Sequence, residues 1–257
     1  MSLMRIWSIA ANGFREVIRD RIFYFVGFFS LVLVIALRLL PEISVGTDKK
    51  IFVDLGLAAI EALTVIVAVF IGTNLINKEI EKRTILVLIA KPISRVEFIL
   101  GKHLGLSAVL WVLVAAMTLV YLILLNWAQI PHPLPSILVS LGFLCLQLSL
   151  LTAVAIAFGV FTSSILATLL SLGVYLMGQI SRDILALGKL SDNATLERLT
   201  KFIYLFLPDL SRLNLKNEAV YNILPSPPEL LANVIYAICY TIFLLVFAML
   251  IFSKRQF

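Results

Sequence analysis

The sequence predicts an all-α, polytopic membrane protein with six transmembrane helices. Three observations carry this reading. Of the 257 residues 61% are hydrophobic and the mean hydropathy is +1.05, far above the apolar share of a soluble domain. Apolar runs long enough to cross a bilayer recur along the whole chain. These runs are continuous rather than alternating in segments of about ten residues, which excludes a membrane barrel.

The first 21 residues, MSLMRIWSIAANGFREVIRDR, carry four arginines and no A-x-A-like cleavage site, so this stretch is expected to be retained. Trp7, Ala10, Phe14 and Val17 recur at helical spacing, with Arg5, Ser8, Asn12, Arg15 and Arg19 on the other side. This predicts an amphipathic interfacial helix over 1–21, its arginines on anionic lipid. Six spans follow, at about 22–40, 54–76, 103–126, 136–160, 164–181 and 230–252. Between them lie PEISVGTDKK, a charged stretch at 77–102, WAQIPHPLP, the short turn FTSS, and a long polar segment at 182–229. Within that last segment TKFIYLFLPDL is apolar but too short to span, and reads as a partly buried re-entrant or interfacial element. Cys145 and Cys239 each sit inside an apolar run and read as small core residues, not as a disulfide or metal pair.

With both termini cytoplasmic, twelve of the 21 basic residues fall inside and nine outside, six of those nine in the long 182–229 loop where charge counts least. The stretch 77–102 is then a cytoplasmic loop, and it is unusual. The turn FTSS reverses the chain in four residues, whereas NKEIEKRTILVLIAKPISRVEFILGK holds nine charged side chains around an apolar middle. Such a helix at the membrane surface can present a face to another protein, or can be a greasy interfacial turn with positive-inside charge. Glu79 and Glu81 suit the positive dipole end of a cytoplasmic helix or the basic side chains of a partner. Pro92 pushes Lys91 out of the α region and Ser94 can start the next helix, while Arg95 and Lys102, two turns apart, can hold lipid phosphate.

The order of residues in this loop resembles a known family. Glu79, Glu81 and Thr84 form E-x-E-x-x-T, Pro92, Ser94, Arg95 and Glu97 form P-x-S-R-x-E, and Gly101 and Lys102 close the pattern. This resembles the cytoplasmic signature of permease subunits of ABC export transporters of the second type. LPDLSRLNL and the terminal FSKRQF resemble two further elements of that family. The chain departs at Arg83, where a glycine often stands, and at Asp209 and Leu213, which replace an asparagine and an aromatic. The resemblance implies a single permease domain over 1–257, with 77–102 as a coupling helix that docks on a separate ATPase subunit. It assigns the coupling role to Glu79, Glu81, Arg83, Thr84, Pro92, Ser94, Arg95 and Lys102. It also implies a bacterial cytoplasmic-membrane location, a second permease subunit, identical or related, and two ATPase subunits carrying ATP and magnesium. No nucleic-acid partner is expected.

The residues themselves agree that hydrolysis happens elsewhere. No G-x-x-x-x-G-K-[ST] phosphate loop occurs, and GKHLG lacks the upstream glycine and the magnesium-binding hydroxyl, so the chain is not expected to be an enzyme or to bind a cofactor. His103 and His132 fall near opposite faces and cannot share a metal. Polar residues inside spans mark a possible pathway: Glu61 above all, with Gln147, Asn233 and Tyr236, beside Thr168, Ser171 and Tyr240. Helix-to-helix hydrogen bonding explains most of them equally well. Glu61 must face water or pair with a base such as Arg38. Export of a substrate is the leading reading. A membrane subunit that passes ATPase strokes to an external partner, and a secondary transporter, are the alternatives, the latter disfavoured because the two halves show no matching repeat.

Overall fold

The computed structural model describes residues 3–19, 23–43, 47–81, 94–191 and 193–254. Ten α-helices and one 3-10 turn account for most of these, and no strand occurs among the described residues. In order they are α1 (Leu3–Arg19), α2 (Phe23–Ile43), α3 (Asp48–Glu81), α4 (Arg95–Trp127), α5 (Leu134–Phe161), α6 (Ser164–Gln179), α7 (Ser181–Leu190), α8 (Ala194–Phe206), the 3-10 turn Leu210–Arg212, α9 (Lys216–Tyr221) and α10 (Pro227–Lys254).

Five helices, α2, α3, α4, α5 and α10, are long and apolar enough to cross a membrane. The fifth expected span departs from a single straight helix. α6 has 16 residues, roughly 24 Å of rise against about 30 Å of hydrocarbon, and it reaches spanning length only together with α7, from which it is bent by 58°. The break falls at Ile180–Ser181, where the Ser181 hydroxyl donates to the Gly178 carbonyl. Gly178 is required there: a Cβ would stand 2.7 Å from the Pro208 carbonyl oxygen of the loop packed beneath it.

α5 lies at the centre, packed against α3, α4, α6, α9 and α10. Two-thirds of its apolar window is buried, against 17% for each of α2 and α10, most of whose surface is uncovered within the single chain. One apolar core joins α2, α3, α4 and α5 through Phe29, Leu33, Ile60, Leu110, Met117 and Leu148. A second ties the start of α4 to the ends of α5 and α10 through Phe98, Ile156, Val160 and Phe252. Of the two cysteines, Cys145 is half-buried against the main core and Cys239 is exposed on α10, so only the first behaves as a core residue.

α1 is amphipathic as expected, but its buried face is set by α4. Ile6, Ala10 and Val17 are buried while Trp7 is 75% exposed, alongside Leu3 and Met4. Two glycines let the helices meet. A Cβ at Gly101 would lie 2.7 Å from Ile9, and one at Gly105 2.7 Å from the Ala10 carbonyl oxygen. The segment expected to be partly buried divides in two: Pro208, Asp209 and Leu210 are buried, whereas Phe202, Leu205 and Phe206 of α8 are largely exposed.

Candidate functional site

The helix starts and ends nearest the two termini form a tight collar. Ser94 caps α4 with a reciprocal box: its hydroxyl accepts from the Glu97 amide at 3.1 Å, and its own amide donates to the Glu97 carboxylate at 3.0 Å. Arg95 turns back to α10 and donates to the carbonyls of Phe252 and Ser253 at 2.8 and 2.7 Å, so it satisfies groups that the helix end leaves unpaired. Phe98 stacks on Phe252 beside it. Lys102 is only 6% exposed, with its ammonium 3.8 Å from Glu16 of α1 and over the Phe98 ring. Arg95 thus holds α10, and Lys102 lies inside the contact between α1 and α4, buried away from lipid phosphate.

Glu79 and Glu81 fall in the final turn of α3, at its carboxyl and hence negative end. This corrects the expectation that they open a helix at its positive end, because α3 runs unbroken from Asp48 through the bilayer to Glu81. Arg83, Thr84 and Pro92 lie outside the described residues.

At the other end of the bundle the polar residues converge on Glu61. It is 6% exposed. Its Oε1 accepts from Gln147 of α5 at 3.1 Å, from Tyr175 and Gln179 of α6 at 3.0 and 2.9 Å, and from Asn214 at 3.3 Å. Its Oε2 receives the Lys216 ammonium at 3.2 Å. Asn214 also donates to Gln179 at 3.1 Å. One carboxylate thus joins α3, α5, α6 and, through Asn214 and Lys216, the loop before α9 and the first residue of α9. The expected base, Arg38, is not the partner; Lys216 is.

Asn233 and Tyr236 do not join this cluster. Asn233 is buried on α10, and Tyr236 accepts the Asp209 amide at 2.7 Å. Asp209 organises a second cluster. Ser181 and Ser211 donate to its Oδ1 at 2.9 and 2.5 Å, and Arg182, Arg212 and Tyr204 to its Oδ2 at 3.3, 2.9 and 3.3 Å. Burial alone would raise the Asp209 carboxyl, yet the bonds from Ser211, Arg212 and Ser181 and the charge of Arg182 hold it below the usual carboxylate range. Thr168 meets Thr73 of α3 at 2.9 Å and Tyr240 donates to the Phe206 carbonyl, so these two join helices, whereas Ser171 bonds within its own helix at Ala167.

A groove of about 660 Å³ between α4 and α5 is far larger than the crevice of about 10 Å³ beside Glu61. Trp111, Leu119, Ile123 and Leu138 line it and are themselves about half exposed, which makes it an apolar furrow on the outside of the bundle. It gathers few polar groups, and the Glu61 cluster gathers many. Lys216, Asn214, Tyr175 and Gln179 were not visible as site residues in the sequence. The i, i+4 spacing of Tyr175 and Gln179 on α6 was the available signal. A protein-family profile described as ABC-2 family transporter protein matches residues 7–257. No curated protein matches the chain at a significant level.

Proposed function

The chain belongs to the ABC-2 transporter family, as a membrane permease subunit, and on that premise we propose that it exports a substrate across the cytoplasmic membrane with ATP hydrolysed on a separate ATPase. Two such permeases, identical or related, work with two ATPase chains that carry the nucleotide and its magnesium. Both termini and the 77–102 segment, which takes in the end of α3 and the start of α4, are cytoplasmic in this reading, supported by the bias of basic residues.

The observation that carries the coupling role is the length of the two helices flanking residues 82–93. α3 has 34 residues and α4 has 33, roughly 50 Å each against about 30 Å of hydrocarbon. Both are longer than the hydrocarbon requires, and in this reading their surplus length carries the segment between them beyond the lipid. The collar supplies the rest of the transmission: α4 is clipped to α10 by Arg95 and laid against α1 at Gly101 and Gly105. Closure of an ATPase pair beneath the loop then tilts α3, α4, α1 and α10 together, and a central route opens outward.

The test is charge reversal of Glu79 and Glu81 to lysine. Added basic residues leave a positive-inside orientation intact. Capture of the cognate ATPase should weaken by about one to two decades, on the order of 1 to 3 kcal/mol, and the loss should shrink in high salt. Co-purification followed by ATPase rates in nanodiscs measures both. Parental binding and stimulation by the double variant would remove these acids from the docking surface.

A further inference from the structure

In the α7 and α8 hairpin, α8 packs its polar side inward and leaves its apolar side out. The two helices cross where Gly188 meets Thr200, with no room for a Cβ at the glycine, and Tyr204 reaches inward to Asp209 and Arg212. On the opposite arc of α8, Leu199, Phe202, Leu205 and Phe206 follow one another at helical spacing, and all four are more than half exposed. Phe202 stacks on Phe206 with ring centroids 6.1 Å apart. This face is not held out in water. The Phe206 carbonyl accepts the Tyr240 hydroxyl at 3.0 Å, and Tyr240 lies thirteen residues into α10, roughly 20 Å along an apolar helix of 28 residues. The base of α8 is therefore set at the depth of the hydrocarbon layer, against the middle of a helix long enough to span it. Its apolar arc runs on into the exposed Phe243, which packs edge-on against Tyr240.

The charges stand where a lipid headgroup sits. Arg198 and Lys201 each come one helical turn before an exposed apolar residue, Phe202 and Leu205 respectively. Side chains lean toward the amino end of their helix, so both reach toward the hairpin tip and away from the level of Tyr240. Lys201 meets Glu197 at 2.6 Å, and the charges of Lys189 and Arg198 bear on the same carboxylate. Three cations thus share one acid, a local surplus of positive charge at the outer end of an apolar arc. That order, cations above and hydrocarbon surface below, complements a phosphate above its acyl chains. We propose that the outer face of α8, carried on by α10, is a docking surface for an anionic phospholipid in the leaflet that meets the start of α10, with its phosphate at Lys189, Arg198 and Lys201 and its chains along Leu199, Phe202, Leu205 and Phe206. A second copy of the chain docked here about a two-fold axis would bring two such cationic edges together, which disfavours it. The surface goes beyond the export reading and does not depend on it.

The test uses the full chain in phosphatidylcholine nanodiscs, with Cys145→Ala and Cys239→Ala and a fluorophore on Leu205→Cys. Phosphatidylcholine carrying a nitroxide on its acyl chain should quench the fluorophore, and aqueous iodide should not. Nitroxide-labelled phosphatidylglycerol at the same mole fraction should show a relative association about threefold to tenfold higher, the gain expected when basic side chains stand near a lipid phosphate. Lys189→Gln, Arg198→Gln and Lys201→Gln together should bring the two lipids to parity, while quenching by phosphatidylcholine persists and shows that the hairpin is still folded in place. Quenching by iodide would put this face in water, open to an external protein. Quenching by neither would mean that a second copy covers it. Parity of the two lipids in the parent, or a preference that survives the triple change, would mean that the cations do not read a headgroup. Each of these results overturns the surface. Should Leu205→Cys fail to insert, Phe202→Cys carries the same fluorophore. Transport is not read, so failure here leaves the export reading standing, and a chain that exports nothing would leave this surface as it is.

Discussion

Glu61 and Asp209 hold the same short stretch of chain from two directions, and they do it with different chemistry. Asp209 belongs to the stretch and reaches out to α7, α8 and α10; Glu61 belongs to α3 and receives Asn214 and Lys216 from it. Both side chains are almost fully buried, at 4% and 8% exposure. Asp209 meets two guanidinium groups and three hydroxyls. Glu61 meets a single ammonium, two amides from separate helices, a phenol and one loop amide. A carboxylate held by the Nε–H of two planar guanidinium groups and by three hydroxyls is the firmer fastening. One held by neutral donors and a single flexible lysine is a fastening that can be undone.

The largest expected effect is therefore at Asp209. Asp209→Ala removes the acceptor of five donors at once and should cost about 3 kcal/mol in thermal unfolding of the nanodisc-embedded chain. The charge has its own signature. Because the folded carboxyl titrates below its ordinary value, its contribution is complete above the unfolded carboxylate pKa of about 3.9 and disappears as pH falls through the folded value. Asp209→Asn should flatten that acid limb relative to the parent; an unchanged limb would show that the pairing carries no net stability.

Glu61→Gln should cost less, about 1 to 2 kcal/mol, since Lys216 is a third exposed and can turn to water. A loss exceeding that of Asp209→Ala would invert the contrast between fixed and releasable fastening. The smallest effect is expected at Arg182, whose side chain is 53% exposed and whose contact is the longer of the two arginine bonds. Arg182→Ala should cost no more than about 0.5 to 1 kcal/mol. Arg212→Ala, which also loses the face of the Tyr236 ring, should cost more, and equal losses would mean that Asp209 needs only total charge.

What the sequence made legible follows the same contrast. Apolar length located every span, because hydrocarbon thickness constrains composition directly: 54–76 against α3, 103–126 against α4, 230–252 against α10. The polar residues Gln179, Ser181, Arg182 and Asp183 ended the fifth span at 181, but they read as the start of a loop and not as a bend into a further helix, and the loop packed under Gly178 is not visible locally. Glu61 was conspicuous as an acid among Leu, Ile and Ala. Its partners were not, because Asn214 and Lys216 sit in a polar loop where any polar residue looks ordinary, and nothing local ties position 216 to position 61. Asp209 stood out only as a departure from a family pattern. The reason for it lies 27 residues upstream at Arg182 and three downstream at Arg212.

The distance in sequence between Glu61 and Lys216 also sets a clock. The two are 155 residues apart, so at roughly 5–20 residues per second the ribosome delivers the lysine about 8–30 s after the acid. Gln147 arrives partway through that interval, 86 residues after Glu61. For all of it α3 holds an acidic side chain that only later segments can enclose. A chain cut short anywhere before residue 216 never receives its lysine. The ion pair is thus made only by polypeptides translated through the fifth span and on to residue 216, and until then the Glu61 carboxylate lacks its charge partner.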